Sequence, residues 1–223
     1  MEAGIPVITW DSDAPESNRI MFIGTDNPAA EKLEGETFVK LTGGKAKYVI
    51  FVPDLVSPNI KQRVQAIREV VKDYPDIKEI MSEQSTEYGM EKALATAENI
   101  LAAFPDLTAV VDVAMEGAAA FYKTLKERGV PPGKIIILGW TTLPDNLAGV
   151  KDGYITASLR QNPYAMGYLS CYALKWAIDG LKPDIDTFDS GIILATKENI
   201  DIVDELNKKK TPGMLEELKK HWK

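Results

Sequence analysis

Trp140, Arg63, Tyr88, Asp11 and Gln161 are side chains whose types suit one kind of chemistry, the recognition of hydroxyl-rich ligands. Such ligands call for flat apolar faces that stack on C–H surfaces, and for planar donors or acceptors that bind two hydroxyls at once. Trp140 follows an apolar, β-branched run ending at Leu138, Gln161 follows one ending at Leu159, and Asp11 follows the run that closes at Trp10. Arg63 and Tyr88 read as residues on the opening turns of two helices. Taken singly, each has a plainer reading: Trp140 as a buried aromatic, Arg63 as a solvated helix charge, Tyr88 as packing at a helix start. Their joint placement at one sheet edge is what favours a site.

Catalytic constellations are thin beside this. The chain has no Gly-x-Ser-x-Gly elbow, no Gly-x-x-x-x-Gly-Lys phosphate loop and no dinucleotide fingerprint after a strand. Asp11 with Asp13, and Glu83 with Glu87, supply the residue types of a general acid and base. Nothing positions a water or a nucleophile beside them, so they read as solvated loop carboxylates or ligand acceptors. The single histidine, His221, lies almost at the C-terminus, and the single cysteine, Cys171, falls in an apolar stretch where a small buried side chain is expected. Both placements argue against a metal centre or a thiol nucleophile, and no cofactor is implied.

These candidates must be positioned by strands alternating with helices, the signature of parallel sheets covered by helices. Strands are expected at 5–10, 20–23, 47–52, 77–81, 109–113, 135–138, 155–159 and 192–195. Ser57-Pro58 reads as an N-cap with proline at the first helical position, after which Ile60, Val64, Ile67 and Val71 repeat at helical spacing. A second helix is expected over 88–104, with Met90, Leu94, Ala97 and Leu101 on one face, and a third over 115–128. The third begins where a strand has just ended, so its first turn projects into the crevice where open α/β sheets place ligands. The glycines of Leu41-Thr-Gly-Gly and Glu127-Arg-Gly end helices.

The remaining bounds come from composition. The 223 residues, 45% hydrophobic, suffice for one large domain or two small lobes. A net charge of −7 and a pI near 4.9 argue against a phosphate-backbone partner, and the one dense basic run, Lys208 to Lys210, reads as a solvated loop. No stretch reaches the roughly 18 apolar residues of a membrane span, and no basic-then-apolar leader opens the chain. The opening, Glu2-Ala3-Gly4 ahead of the run from Ile5, reads either as a helix end and its capping glycine whose upstream part is missing, or as a native N-terminal strand.

Five segments carry a resemblance. Gly4-Ile-Pro-Val-Ile-Thr-Trp-Asp-Ser-Asp, Ile23-Gly-Thr-Asp-Asn, Asn99-Ile-Leu-Ala-Ala-Phe-Pro-Asp-Leu-Thr-Ala-Val, Gln161-Asn-Pro-Tyr-Ala-Met-Gly and Asp189-Ser-Gly-Ile-Ile-Leu-Ala-Thr-Lys-Glu-Asn follow one another in family order. The chain resembles the ribose- and galactose-type periplasmic solute-binding proteins of bacterial ABC transporters, which share their fold with LacI-type effector domains. The resemblance implies an α/β fold of the periplasmic-binding-protein type I, with a complete C-lobe and an incomplete N-lobe. It divides the chain into an N-lobe remnant (1–26), the C-lobe (27–158), an N-lobe helix segment after the hinge return (159–188), and a final crossing with C-terminal helices (189–223). The family's first three N-lobe strands have no counterpart before Met1.

By the same resemblance the sugar contacts fall on Asp11, Ser12, Arg63, Tyr88, Ala114, Trp140, Thr141 and Gln161. Tyr88 and Trp140 would enclose the sugar ring, Arg63 would donate to adjacent hydroxyls, and Asp11 and Gln161 would bind others. Ala114 stands where many sugar binders carry asparagine, Thr141 where they carry aspartate, and Ser12 where arginine is frequent. Losing an amide and a carboxylate removes anchors worth about 1 to 3 kcal/mol each, and Glu116 is placed to compensate. The implied function is binding of a small sugar or polyol for an ABC importer by hinge closure of two lobes, without enzymatic activity and without nucleic acid. The implied partners are the sugar and the transporter permease, with self-association through the exposed N-lobe edge; the implied location is periplasmic, or extracellular with a lipid anchor. The alternatives are the effector domain of a LacI-type regulator and a sugar or autoinducer sensor.

Overall fold

The computed structural model describes residues 4–140 and 143–223. The β-branched runs pair as parallel strands. Along the chain the elements are β1 (Ile8–Trp10), β2 (Met21–Gly24), α1 (Asn27–Thr42), β3 (Ala46–Val52), α2 (Pro58–Val71), β4 (Ile77–Glu79), β5 (Gln84–Ser85), α3 (Met90–Ala103) and β6 (Ala109–Asp112). They continue with α4 (Glu116–Glu127), β7 (Ile136–Trp140), α5 (Pro144–Lys151), β8 (Ala157–Gln161), α6 (Pro163–Ile178), β9 (Thr187–Asp189), β10 (Ile192–Ala195) and α7 (Val203–Lys220). All eight strands expected from sequence are present, with bounds shifted by a few residues. The short strands β5 and β9 were not foreseen, because two or three residues leave no readable period.

The chain forms two compact units, one of residues 27–160 and 194–200, the other of residues 1–26, 161–193 and 201–223. In the larger unit the strand order is β10-β8-β7-β6-β3-β4, with β5 also paired to β3. Tyr48 pairs with Ala109 and Val111 with Leu138 in parallel register. Its middle strands are covered on both faces, which is why β3 and β6 read as continuous apolar runs without alternation. Phe38, Tyr48, Ile50, Ile67, Val111 and Leu138 form the core of this unit. The smaller unit has three parallel strands in the order β1-β2-β9. Met21, Ile23, Leu169, Ala173 and Leu218 pack against them.

Two glycines let α4 approach the sheet. A Cβ on Gly117 would lie 2.6 Å from the Cβ of Phe51, and one on Gly139 would lie 2.8 Å from the Cβ of Ala118, so only glycine fits at either place. The first turn of α4 is thereby pressed onto the ends of β3, β6 and β7.

Three local expectations are corrected. Cys171 is exposed, because α6 turns Ala165, Met166, Leu169, Ser170 and Ala173 inward and leaves Cys171 on the outer side. Lys208 to Lys210 are solvent-exposed but helical: α7 runs on through Pro212, and the Thr211 hydroxyl donates to the Asn207 carbonyl one turn earlier. Ser57 does sit at the N-cap position of α2, yet its hydroxyl donates to Asp54 instead of capping the helix.

Candidate ligand-binding site

Helix α1 opens at Asn27 and runs beside α2. It presents Asn27, Glu31, Glu34 and Phe38 along one side, at the 4-3-4 spacing of a helix face. From α2, the Arg63 side chain reaches Asn27, whose side-chain oxygen accepts from Arg63 Nε at 3.1 Å and Nη2 at 3.0 Å. The guanidinium lies over the Trp140 ring, 3.7 Å from its centroid, a close cation–π stack. Arg63 Nε is 3.5 Å from Glu31 Oε1, and the Trp140 indole N–H donates to Glu34 Oε2 at 3.3 Å. All four side chains are buried; Glu31 and Glu34 are wholly so.

Burial pushes the Glu31 carboxyl up to about 7, against the pull of Arg63. Burial also raises Glu34 well above the ordinary range, and the neighbouring Glu31 charge adds to the rise. A desolvated carboxylate costs several kcal/mol, more than one nearby cation returns unless the geometry is ideal.

A second group gathers around the ends of β3, β5 and β6. Tyr88 is on no helix: it precedes α3, and both it and Glu87 have left-handed backbone, with φ of +57° and +50°. Two consecutive such residues without glycine are uncommon and are held by their surroundings. The Tyr88 hydroxyl donates to Asp54 Oδ2 at 2.7 Å while its ring stays 62% exposed. Asp54 also accepts from the Ser57 hydroxyl and from the amides of Val56 and Ser57, and this set of donors holds its carboxyl well below the usual range. Glu116, the first residue of α4, accepts from the Thr86 hydroxyl at 3.2 Å. Ala114 is buried, its amide donating to Asp112 Oδ1; Asp112 Oδ2 accepts from Ala118 and so caps α4 from outside the helix. Burial raises the Asp112 carboxyl to about 7, although those amides favour its charged form.

In the smaller unit Asp11 follows β1 directly, is exposed, and has φ of +63°. The Ser12 amide donates to the Trp10 carbonyl at 2.7 Å. Gln161 ends β8, and its carbonyl accepts from the Asn207 side chain at 2.9 Å. Thr141 lies outside the described residues.

A family profile described as a periplasmic binding protein domain matches residues 1–182. The chain belongs to that family. The ribose import binding protein of Salmonella typhimurium is 26% identical to this binding-protein domain over 166 residues, 74% of the chain and 55% of the relative. A solved ABC transporter solute-binding protein from Burkholderia graminis, in complex with D-arabinose, is 34% identical. The match covers 89% of this chain and 69% of that one, with a TM-score of 0.82. A glucose-galactose binding protein from Geobacillus stearothermophilus is 28% identical, with coverages of 89% and 70% and a TM-score of 0.81. The fold is therefore the α/β type I periplasmic binding architecture. The chain spans about half the length of the curated relatives it matches, 55% for the ribose protein.

Within this binding-protein domain, five residues that the sequence did not single out shape the candidate site: Asn27, Glu31, Glu34, Asp54 and Asp112. A signal existed for the glutamates. They share a helix face with Ala30 and Phe38, while Leu33 and Leu41, apolar on paper, are partly exposed. The expected roles of Arg63 and Trp140 gain a constraint, since one face of the indole is already covered by the guanidinium.

Proposed function

We propose that the chain binds a small sugar or related polyol as the solute-binding component of a bacterial ABC importer, as a receptor and not as an enzyme. The observation that carries this reading is the Arg63–Trp140 stack beside the C-terminal ends of a parallel sheet, where such sheets place their ligands. Trp140 brings an aromatic surface and Arg63 a planar donor. Tyr88 brings an exposed ring, and Glu116 a carboxylate at a helix start. Ala114 supplies a less polar contact in this unit; Thr141, which lies outside the described residues, and Asp11, Ser12 and Gln161 are further contacts of the same reading. The relatives named above, a ribose import protein and an arabinose complex, support a sugar as ligand and a permease as partner. They also support a place in the periplasm or outside the cell, a lipid anchor being the further part of the same proposal.

Self-association belongs to the same reading. β1 is an outer strand of its sheet, with Trp10 54% exposed on it and Ile5 65% exposed just ahead of it, and such an edge is a template for another chain. Sedimentation velocity finding only monomer at every concentration removes that part.

Isothermal titration against aldopentoses, aldohexoses and their deoxy and polyol relatives tests the main proposal, with Tyr88→Ala, Trp140→Ala and Arg63→Ala alongside. Saturable binding weakened by all three is the expected outcome. A cooperatively folded chain that takes up none of these ligands would overturn it.

A further inference from the structure

The function above leaves Glu31 and Glu34 unused, yet they are the wholly buried acids that touch its two central residues. We propose that Glu31 and Glu34 are positioning residues that hold the Arg63–Trp140 platform and cancel the guanidinium charge, so that the platform takes an uncharged, hydroxyl-bearing ligand and not an anionic one. This rests on the sugar-binding reading for its ligand class, and on geometry alone for the positioning.

The four side chains form a closed circuit. The Trp140 indole N–H donates to Glu34, Glu31 faces the Arg63 guanidinium, and the guanidinium stacks back on the Trp140 ring. The circuit closes between the acids, one turn apart on the same face of α1, each of which perturbs the other's ionisation. Glu31 Oε1 and Oε2 and Glu34 Oε1 are buried oxygens without a hydrogen-bond donor among the described residues. A proton on Glu34 supplies the missing donor: it bonds to Glu31, stays charge-neutral beside the indole, and leaves one negative charge on Glu31 opposite one positive charge on Arg63. Among the described residues, Arg63 from α2 is the cation that faces the pair, and Trp140 from β7 brings no charge. An arginine in a binding site ordinarily selects carboxylates and phosphates by bidentate bonding. Here Arg63 donates to Asn27 and faces a counter-charge inside the protein, so an anionic ligand would add a second negative charge to a balanced site.

The test has two readouts on the intact chain. The first follows the Trp140 indole 1H–15N resonance, assigned with Trp140→Phe, from pH 5 to 9. Its shift is expected to titrate with a midpoint near neutrality and to lose that step in both Glu34→Gln and Glu31→Gln. A resonance that does not move over this range, or that moves alike in the glutamine variants, would overturn the positioning role. The second compares D-arabinose and D-ribose with D-galacturonate and D-glucuronate. The wild-type chain is expected to bind a neutral sugar at least tenfold more tightly than either uronate, and the double variant Glu31→Gln/Glu34→Gln to narrow that ratio at least tenfold. A uronate preferred by the wild-type chain overturns the charge-matching argument. If neither class binds while the indole titrates as described, the sugar reading fails and the acids' hold on the platform stands.

Discussion

Helix α2 carries two arginines one and a half turns apart, Arg63 and Arg68, and each faces two glutamates. Their outcomes are opposite. Arg68 is 35% exposed in its side chain and makes directed bonds: Nε to Glu79 Oε2 at 2.9 Å, Nη2 to Glu79 Oε1 at 2.5 Å, and Nη1 to Glu83 Oε1 at 2.9 Å. The bond from Arg68 holds the Glu83 carboxyl below its ordinary range. Arg63 gives its Nε and Nη2 bonds to neutral Asn27 and its flat face to Trp140, with Glu31 Oε1 3.5 Å from Nε. Both of its glutamates are pushed up by burial. The number and type of charges are the same, so charge counting decides nothing. Water and bond direction do: one cluster keeps its solvent and Glu83 is held below its ordinary range, the other loses it and burial pushes Glu31 and Glu34 up.

The largest effect that would separate the two is removal of the buried cation. Arg63→Ala is expected to cost about 3 to 5 kcal/mol, because it strands a buried carboxylate without its partner. Urea denaturation at pH 7 measures it. Arg63→Met combined with Glu31→Gln, which makes the cluster neutral at similar volume, is expected to recover a large part of the loss. If Arg63→Ala cost no more than an exposed arginine does, the buried cluster would be electrostatically inert and the contrast would vanish.

Next in size is the pH profile, in which the clusters act with opposite sign. A carboxyl raised from the ordinary 4.5 to about 7 in the folded state binds more protons folded than unfolded between those values. The Glu31 contribution is therefore full below about pH 4.5, declines as pH rises, and is gone above about 7, and Glu34, raised in the same direction, acts with the same sign. One proton on Glu31 over that interval is worth about 3 kcal/mol. Asp112, raised to about 7 by burial, acts in the same window and with the same sign. Glu31→Gln is expected to flatten the decline by the share of Glu31 and leave that of Asp112. Denaturation midpoints at half-unit steps from pH 4.5 to 8 would show it, and a wild-type chain equally stable across that range would contradict it.

How much of this was legible follows from the same contrast. The alternation of β-branched runs with helical spacing gave the architecture, because the central strands β3, β6 and β7 are largely buried and carry mostly apolar residues, Lys47 and Asp112 being the charged exceptions. Arg63 and Trp140 were legible as candidates because each sits near the end of an element that points at the crevice. Their contact with each other was not, since 77 positions of chain separate them and only the packing of α1, α2 and β7 brings them together. Glu31 and Glu34 were missed for a physical reason: a glutamate is almost never wholly buried, so the prior for a helical glutamate is solvent. Tyr88 was placed on a helix because residues 88 to 104 carry a continuous helical period. The left-handed backbone at Glu87 and Tyr88 belongs to the bond with Asp54, a long-range contact that no local pattern announces.

The smallest effects belong to the solvated cluster. Arg68→Ala is expected to cost no more than about 1 kcal/mol and Glu83→Gln about 0.5 kcal/mol, as exposed pairs usually do. Glu83, depressed in the folded state, contributes its stability above its unfolded value near 4.5 and loses it as pH falls through the lower folded value. The acid-side loss between about pH 4.5 and 3 should therefore shrink in Glu83→Gln, while the neutral-side decline of the Glu31–Glu34 pair is untouched. Added salt, which screens exposed charges and barely reaches buried ones, should weaken the Arg68 contribution and leave that of Arg63 in place. A chain in which 0.5 M salt reduces both equally would mean that water reaches Arg63 as freely as Arg68, and that the two halves of α2 are electrostatically alike after all.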